Sequence, residues 1–323
     1  MIKINNLLNG NKNILWELSH GIILFILIII TNSLSYYSGV QTKFIPTFTV
    51  SISNALPYVP AALGAGYVIS SKEIDLSYAG VFSFSTLLIL LFQNSQQSVY
   101  CALLTVFILI LFIGFLVGYS ISFLGVNSII LTLGLSFFLY GLSFYINRNV
   151  VKGVYSLTDS YKLPFFDHIE VIVLLLILFF YLLRFTRYWK YHIAVGLNQD
   201  AARLCNLRTR IIKLMPFLIS SILCLLSALL LLFYYSGGGD VGTGKGIELV
   251  VIAIALIGGT KITGGYFQPV NIFLAAILWC SFHTLVTFIK EIPTEFYQLF
   301  VGLLIIIFSF ISSYQSKKIR REP

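Results

Sequence analysis

The sequence predicts an all-α protein, a polytopic membrane helical bundle of about ten transmembrane helices of roughly 20 apolar residues each, with N- and C-termini cytoplasmic. Three observations carry this expectation. Hydrophobic residues make up 58% of the 323 positions and charged residues only 10%, at a mean hydropathy of +0.92, too little polar surface to coat a soluble domain. Runs such as VIVLLLILFFYLL at 171–183 do not alternate, as the strands of a transmembrane barrel must, and helices are the other way to satisfy backbone polar groups in lipid. Finally, with the N-terminus inside, fifteen of the twenty-one Lys and Arg fall on cytoplasmic segments, the asymmetry expected of that orientation.

The first span, 14–35, holds GIILFILIII after Lys3 and Lys12. Its polar leader is long and no Ala-x-Ala site follows, so it reads as a retained helix rather than a signal peptide. The second, 46–70, carries Pro46, Pro57 and Pro60 beside Asn54, Gly64 and Gly66. Proline deletes a backbone donor and kinks a helix, so this span is expected to be broken and to face protein or a solute pathway; a purely structural kink is the other reading. Lys72, Glu73 and Asp75 follow, where a local charge pair at the membrane surface competes with a functional role for Asp75. Spans at 77–94, 98–119, 127–146 and 167–186 come next.

Arg184, Arg187, Lys190, Arg203, Arg208, Arg210 and Lys213 then place a third of the basic charge around one polar segment, which assigns it to the cytoplasm. Its core is VGLNQDAARLCNL at 195–207. Asn198 ahead of Gln199-Asp200-Ala201 suits the N-cap of a short helix. Ala201 and Ala202 would let that helix approach a partner surface, and Arg203 would reach an acidic or carbonyl-lined groove. A solvated loop that only fixes topology is the alternative.

Spans at 211–234, 247–266, 270–289 and 294–314 complete the bundle. Gly239, Asp240, Val241, Gly242, Thr243, Gly244 and Lys245 match much of a phosphate-binding loop, but Gly246 stands where Ser or Thr is needed, and a membrane helix precedes the segment instead of a strand. Nucleotide binding is therefore rejected in favour of an external glycine-rich loop. Cys101, Cys205, Cys224 and Cys280, and likewise His20, His168, His192 and His283, are scattered singly, without disulfide or metal spacing. No catalytic cluster, metal or cofactor is expected. The net charge of +9 follows from topology and does not call for a nucleic-acid partner.

Four blocks, in order, carry a resemblance. They are KEIDLSYAG at 72–80, with Ile74, Asp75, Leu76 and Ser77; NSIILTLGLSFFLYGL at 127–142, with Thr132, Leu133, Gly134 and Gly141; the 195–207 segment, with Gly196, Asn198, Ala201, Ala202 and Arg203; and GTGKGIELVVIAIALIGGTKITGG at 242–265, with Glu248, Leu249, Ile252, Ala253, Gly258, Gly259, Thr260, Gly264 and Gly265. Together they resemble the permease subunits of bacterial ATP-binding-cassette importers for ribose, related sugars, autoinducer-2 and nucleosides, sister sequences to the branched-chain amino-acid permeases. The resemblance implies one transmembrane permease domain over 1–323 in the bacterial inner (plasma) membrane, without a catalytic site of its own. It also implies a coupling loop at 187–213 in which Gly196, Asn198, Ala201, Ala202 and Arg203 meet a cytoplasmic ABC ATPase subunit. Asn54, Asp75, Ser77 and Thr132 are the expected pathway residues. A second permease subunit and an extracytoplasmic solute-binding protein are the further partners, the latter expected at loops 147–166 and 235–246.

The departures are specific. Lys72 and Glu73 replace the paired glycines before Ile-Asp-Leu-Ser, Tyr78-Ala79 replaces Val-Gly, Tyr140 stands where arginine is common, and YFQP follows Gly265. The second permease subunit could make a homo- or a heterodimer, and bulky residues at tight positions favour a heterodimer with a more typical partner. The alternative class is an ion-coupled secondary transporter or channel, for which Asp75, Glu248 and His283 are the available titratable groups.

Overall fold

A computed structural model describes residues 20–34, 44–151, 168–234 and 241–288, together with Leu299, Gly302, Leu303 and Ile306. Apart from those four residues the expected tenth span lies outside the described residues, as do 152–166 and 235–240 of the two expected external loops. The described residues are helical, with no strand among them. In order they form α1 (His20–Leu34), α2 (Phe44–Ala55), a 3-10 turn at Leu56–Tyr58, α3 (Val59–Ser70), α4 (Tyr78–Asn94), α5 (Val99–Ser122) and α6 (Ser128–Ile146), which ends in a π-turn at Asn147–Val151. After them come α7 (Ile169–Leu183), α8 (Arg187–Leu197), α9 (Gln199–Leu204), α10 (Thr209–Tyr234), a 3-10 turn at Val241–Gly244, α11 (Ile247–Ile257) and α12 (Pro269–Phe288).

Among these, α5, α6, α10 and α12 are each long and apolar enough to cross a membrane alone. The α7–α8 pair reaches that length only across a 78° bend. The second predicted span is broken where its prolines sit: Pro57 lies inside the 3-10 turn and Pro60 in the first turn of α3. The Pro57 carbonyl accepts the hydroxyl of Ser227 on α10, so a neighbouring helix satisfies the group that the break frees. The predicted span 247–266 shortens to α11 because Gly258 ends the helix and Gly259 takes a φ of +85°.

Every residue of α3 is buried, and α3 is the axis of the bundle, packed by α10, α11 and α12. Close approach depends on missing side chains. A Cβ on Gly64 would lie 3.1 Å from Ser220 Cα, and one on Gly66 would meet Ile272 and the Phe267 ring. Gly114 and Gly118, one turn apart on α5, face Ser221, Phe217 and Leu214 of α10, the small-xxx-small arrangement that brings membrane helices together. On α6 the buried stripe is polar, Ser128, Thr132, Ser136 and Ser143 with Leu139, while Ile130, Phe137, Phe138 and Tyr145 point outward, the distribution of a lipid-facing helix.

Gly114→Leu should therefore force α5 from α10 and destabilise the bundle by about 1–3 kcal/mol. Gly134→Leu, at a position with open space around it, should leave the thermal unfolding midpoint in detergent unchanged.

Candidate functional site

The polar segment after α7 folds into two helices. Thr186 caps α8, its hydroxyl accepting the Trp189 N–H at 3.2 Å. Trp189, His192, Val195 and Gly196 form the buried side of α8, while Arg187, Lys190 and Tyr191 are exposed. The sequence is thus amphipathic at helical spacing, and α8 lies across the bundle rather than continuing α7. Asn198 then caps α9: its Oδ1 accepts the N–H groups of Asp200 and Ala201 at 3.0 and 3.1 Å. The predicted short helix begins where the spacing placed it.

The faces of α9 differ from expectation. Ala202 is buried with Val195, Ile212 and Leu207, so it seats α9 on its own chain, whereas Asn198, Ala201 and Arg203 are exposed. The Arg203 Nε donates to Thr209 Oγ1 at 3.3 Å. The outward apolar residue is Leu204, 90% exposed, which the sequence reading missed. Its signal was present: one leucine, three residues after Ala201, in an otherwise polar helix. Beside it, Phe123, Leu207, Ile211, Arg203, Arg208 and Arg210 line a shallow, open surface groove that is basic and partly apolar.

Gly196 also faces inward. A Cβ there would lie 2.1 Å from the Ser70 carbonyl oxygen, and a Cβ on Gly264 would lie 2.4 Å from the Gly196 oxygen. Ser70 in turn accepts the Gly265 N–H at 2.8 Å. The end of α8, the end of α3 and the linker between α11 and α12 therefore meet backbone to backbone. Gly264 and Gly265 hold φ of +79° and +77°, which glycine adopts without steric penalty.

His192 anchors the same junction. Fully buried, it places Nε2 at 2.7 Å from Ser70 Oγ and stacks on Tyr67 at 4.3 Å, while Trp189, Phe180 and Phe267 surround Tyr67. Its Nδ1 has no partner among the described residues. Burial lowers the His192 pKa from 6.5 to about 4, so the ring is neutral at neutral pH.

Asp75, Ser77 and Thr132 come together at the seam between α4 and α6. Asp75 Oδ1 accepts the Ser77 N–H at 2.9 Å and its hydroxyl at 2.7 Å, and Oδ2 accepts Ser220 Oγ at 3.1 Å. Burial raises the Asp75 pKa, and the Ser77 and Ser220 hydrogen bonds oppose the rise. Thr132 Oγ1 accepts the Leu76 N–H at 3.0 Å, Ser136 Oγ the Gly80 N–H at 3.1 Å, and Ser128 Oγ the Ile74 N–H at 3.4 Å. One polar stripe of α6 thus holds the chain between α3 and α4. Asn54 stands half-buried on α2, which packs on α12, in a different part of the bundle's packing. Near the rejected phosphate-loop match, Gly244 packs against α4, where a Cβ would meet Ser83 Oγ and the Ala79 oxygen; this glycine serves helix contact.

A helical bundle with broken helices, a buried polar seam and an exposed short helix at one end is the build of a multi-pass membrane permease. The chain belongs to the family described as branched-chain amino acid transport system / permease component, whose profile matches residues 47–309. It is 25% identical over 281 residues to the fructose import permease protein FruF of Bifidobacterium longum, covering 83% of this chain and 79% of that one. It is 24% identical over 277 residues to the autoinducer 2 import system permease protein LsrC of Salmonella typhimurium, covering 84% and 78%. No solved structure matches it.

Two measurements check the site. Asp75→Ala leaves the Ser77 and Ser220 donors unanswered and should destabilise the protein by about 2–4 kcal/mol, whereas Asp75→Asn keeps an acceptor at Oδ1 and should lose about 1 kcal/mol or less. For His192, an unfolded chain takes up a proton near pH 6.5 that the folded chain excludes until about pH 4. Stability should accordingly be complete above that window and fall by up to about 1.4 kcal/mol per unit as the pH drops through it. The slope of Tm between pH 7.5 and pH 5 should flatten in His192→Phe.

Proposed function

We propose that this chain is the permease subunit of an ATP-binding-cassette importer that carries a sugar or sugar-like solute inward by alternating access. A separate ATPase subunit drives the cycle through α9. The observation that carries the reading is the build of α9: a capped, six-residue helix that presents Leu204, Ala201 and Arg203 outward while its other face is fastened to α8 and α10. A rigid, exposed helix on a lipid-embedded bundle is suited to fill a groove on a soluble partner. The relatives' solutes, fructose in one and autoinducer 2 in another, support a small polar cargo.

In this reading the chain crosses the bacterial inner membrane ten times with both termini cytoplasmic, and α8 and α9 lie on the cytoplasmic side with the basic residues around them. A second, more glycine-rich permease completes a heterodimeric pathway, to which Asn54 and the Asp75–Ser77–Thr132 seam belong. An extracytoplasmic binding protein delivers the solute to loops 147–166 and 235–246.

Leu204→Asp tests the docking role, because the side chain is solvated and its loss leaves the core intact. The variant should reach the membrane at wild-type levels, bind the ATPase subunit about ten-fold more weakly, a change of roughly 1.4 kcal/mol, and lose uptake of radiolabelled fructose or a related sugar. Unchanged ATPase binding overturns the docking assignment. Uptake that persists without ATP and collapses with a protonophore overturns the importer.

A further inference from the structure

Two side chains in the turn after α3 reach back to the α8–α9 junction from opposite sides. Lys72 Nζ donates to the Leu197 carbonyl at 2.6 Å, and Leu197 is the last residue of α8. Glu73 forms an ion pair with Lys213 on α10, the two side chains being 16% and 15% exposed. The same ammonium donates to Gln199 Oε1 at 3.2 Å, and Gln199 is the first residue of α9. The two arms thus land on either side of Asn198, the single residue between the helices.

The backbone shows that Lys72 is held there against a local penalty. Its φ is +66°, a left-handed conformation that disfavours any residue with a Cβ by about 1–2 kcal/mol. Glycine would adopt it freely but would bring no ammonium to the carbonyl end of α8, where a cation is favoured by the helix dipole and by unsatisfied oxygens. Glu73 is comparably specific. Its partner lies 140 residues away in sequence and is partly buried, so the pair is less screened than a surface contact. These are the same two positions at which the chain departs from the paired glycines of the sequences it resembles.

We propose that Lys72 and Glu73 are positioning residues, a two-armed clamp that fixes the α8–α9 junction to the α3–α4 turn and to α10. The clamp presents α9 in one orientation and ties it to the strand of chain that carries Asp75. Its purpose rests on α9 being the docking helix, while its existence is read from the permease alone.

The exposed thiols Cys205, at the end of α9, and Cys101, on α5, supply a probe and a control. With a nitroxide on Cys205 in a Cys101→Ser background, in nanodiscs, Glu73→Gln and Lys72→Gly should each shorten the label's correlation time by roughly two-fold or more. A label on Cys101 in a Cys205→Ser background should be unaffected. Reversing the pair, with Glu73→Lys and Lys213→Glu together, should restore the slow Cys205 spectrum, which a general loss of stability would not allow. The reversed pair also keeps the test decisive where a single variant fails to accumulate. Identical Cys205 spectra in the wild type and both single variants overturn the clamp, as does mobilisation of the Cys101 label alongside Cys205. A reversed pair that stays mobile overturns the Glu73 arm. None of these outcomes bears on docking itself, which Leu204→Asp decides with the ATPase subunit present.

Discussion

Wherever a helix of this bundle is interrupted it frees backbone donors and acceptors that apolar surroundings cannot satisfy, and neighbouring elements answer each interruption. At the first, Ser227 of α10 takes the Pro57 carbonyl. From the end of α3 into the first turn of α4, N–H groups go to Ser128, Thr132 and Ser136 of α6 and to Asp75 itself. At the end of α3, the Ser70 carbonyl goes to Gly265. The answers come from α6, α10, the α11–α12 linker and the Asp75 side chain, so the interruptions at α2–α3 and α3–α4 are also the places where these elements are joined.

The four sequence blocks thereby become one mechanical unit. Residues 70–80 and 128–136 share a seam, and residues 196, 264 and 265 close on Ser70. Glycine is required at these closures for two separate reasons: Gly196 because a Cβ would overlap a carbonyl oxygen, Gly265 because its φ is positive. These contacts join the end of α8 to the end of α3, ahead of the turn that carries Asp75, through packed backbone.

The features legible in the sequence were those with local causes. Pro57 and Pro60 announced the broken span, since proline acts on its own helix, and Asn198 announced the start of α9, since its cap bonds close within three residues. What needed tertiary partners was not legible. Gly196 and Ala202 read as docking residues and instead face inward, because the turn after α3 comes back to meet them. The 187–213 segment read as a loop around one short helix, yet α8 forms as well, its apolar stripe finding Tyr67, Phe180 and Phe267 only in the folded bundle. The tie from the Leu76 N–H to the Thr132 hydroxyl, a contact that spans 56 residues, is of the same kind.

The aromatic box beneath α8 has a further consequence. The chain has three tryptophans, and Trp189 is the one on α8, its ring stacked 6.1 Å from Tyr67 at 14° and packed 5.5 Å from Phe267. An indole so enclosed emits as in a dry environment, and water reaching it on any lifting of α8 lengthens its wavelength. The seating of α8 on the bundle therefore carries its own fluorescent gauge.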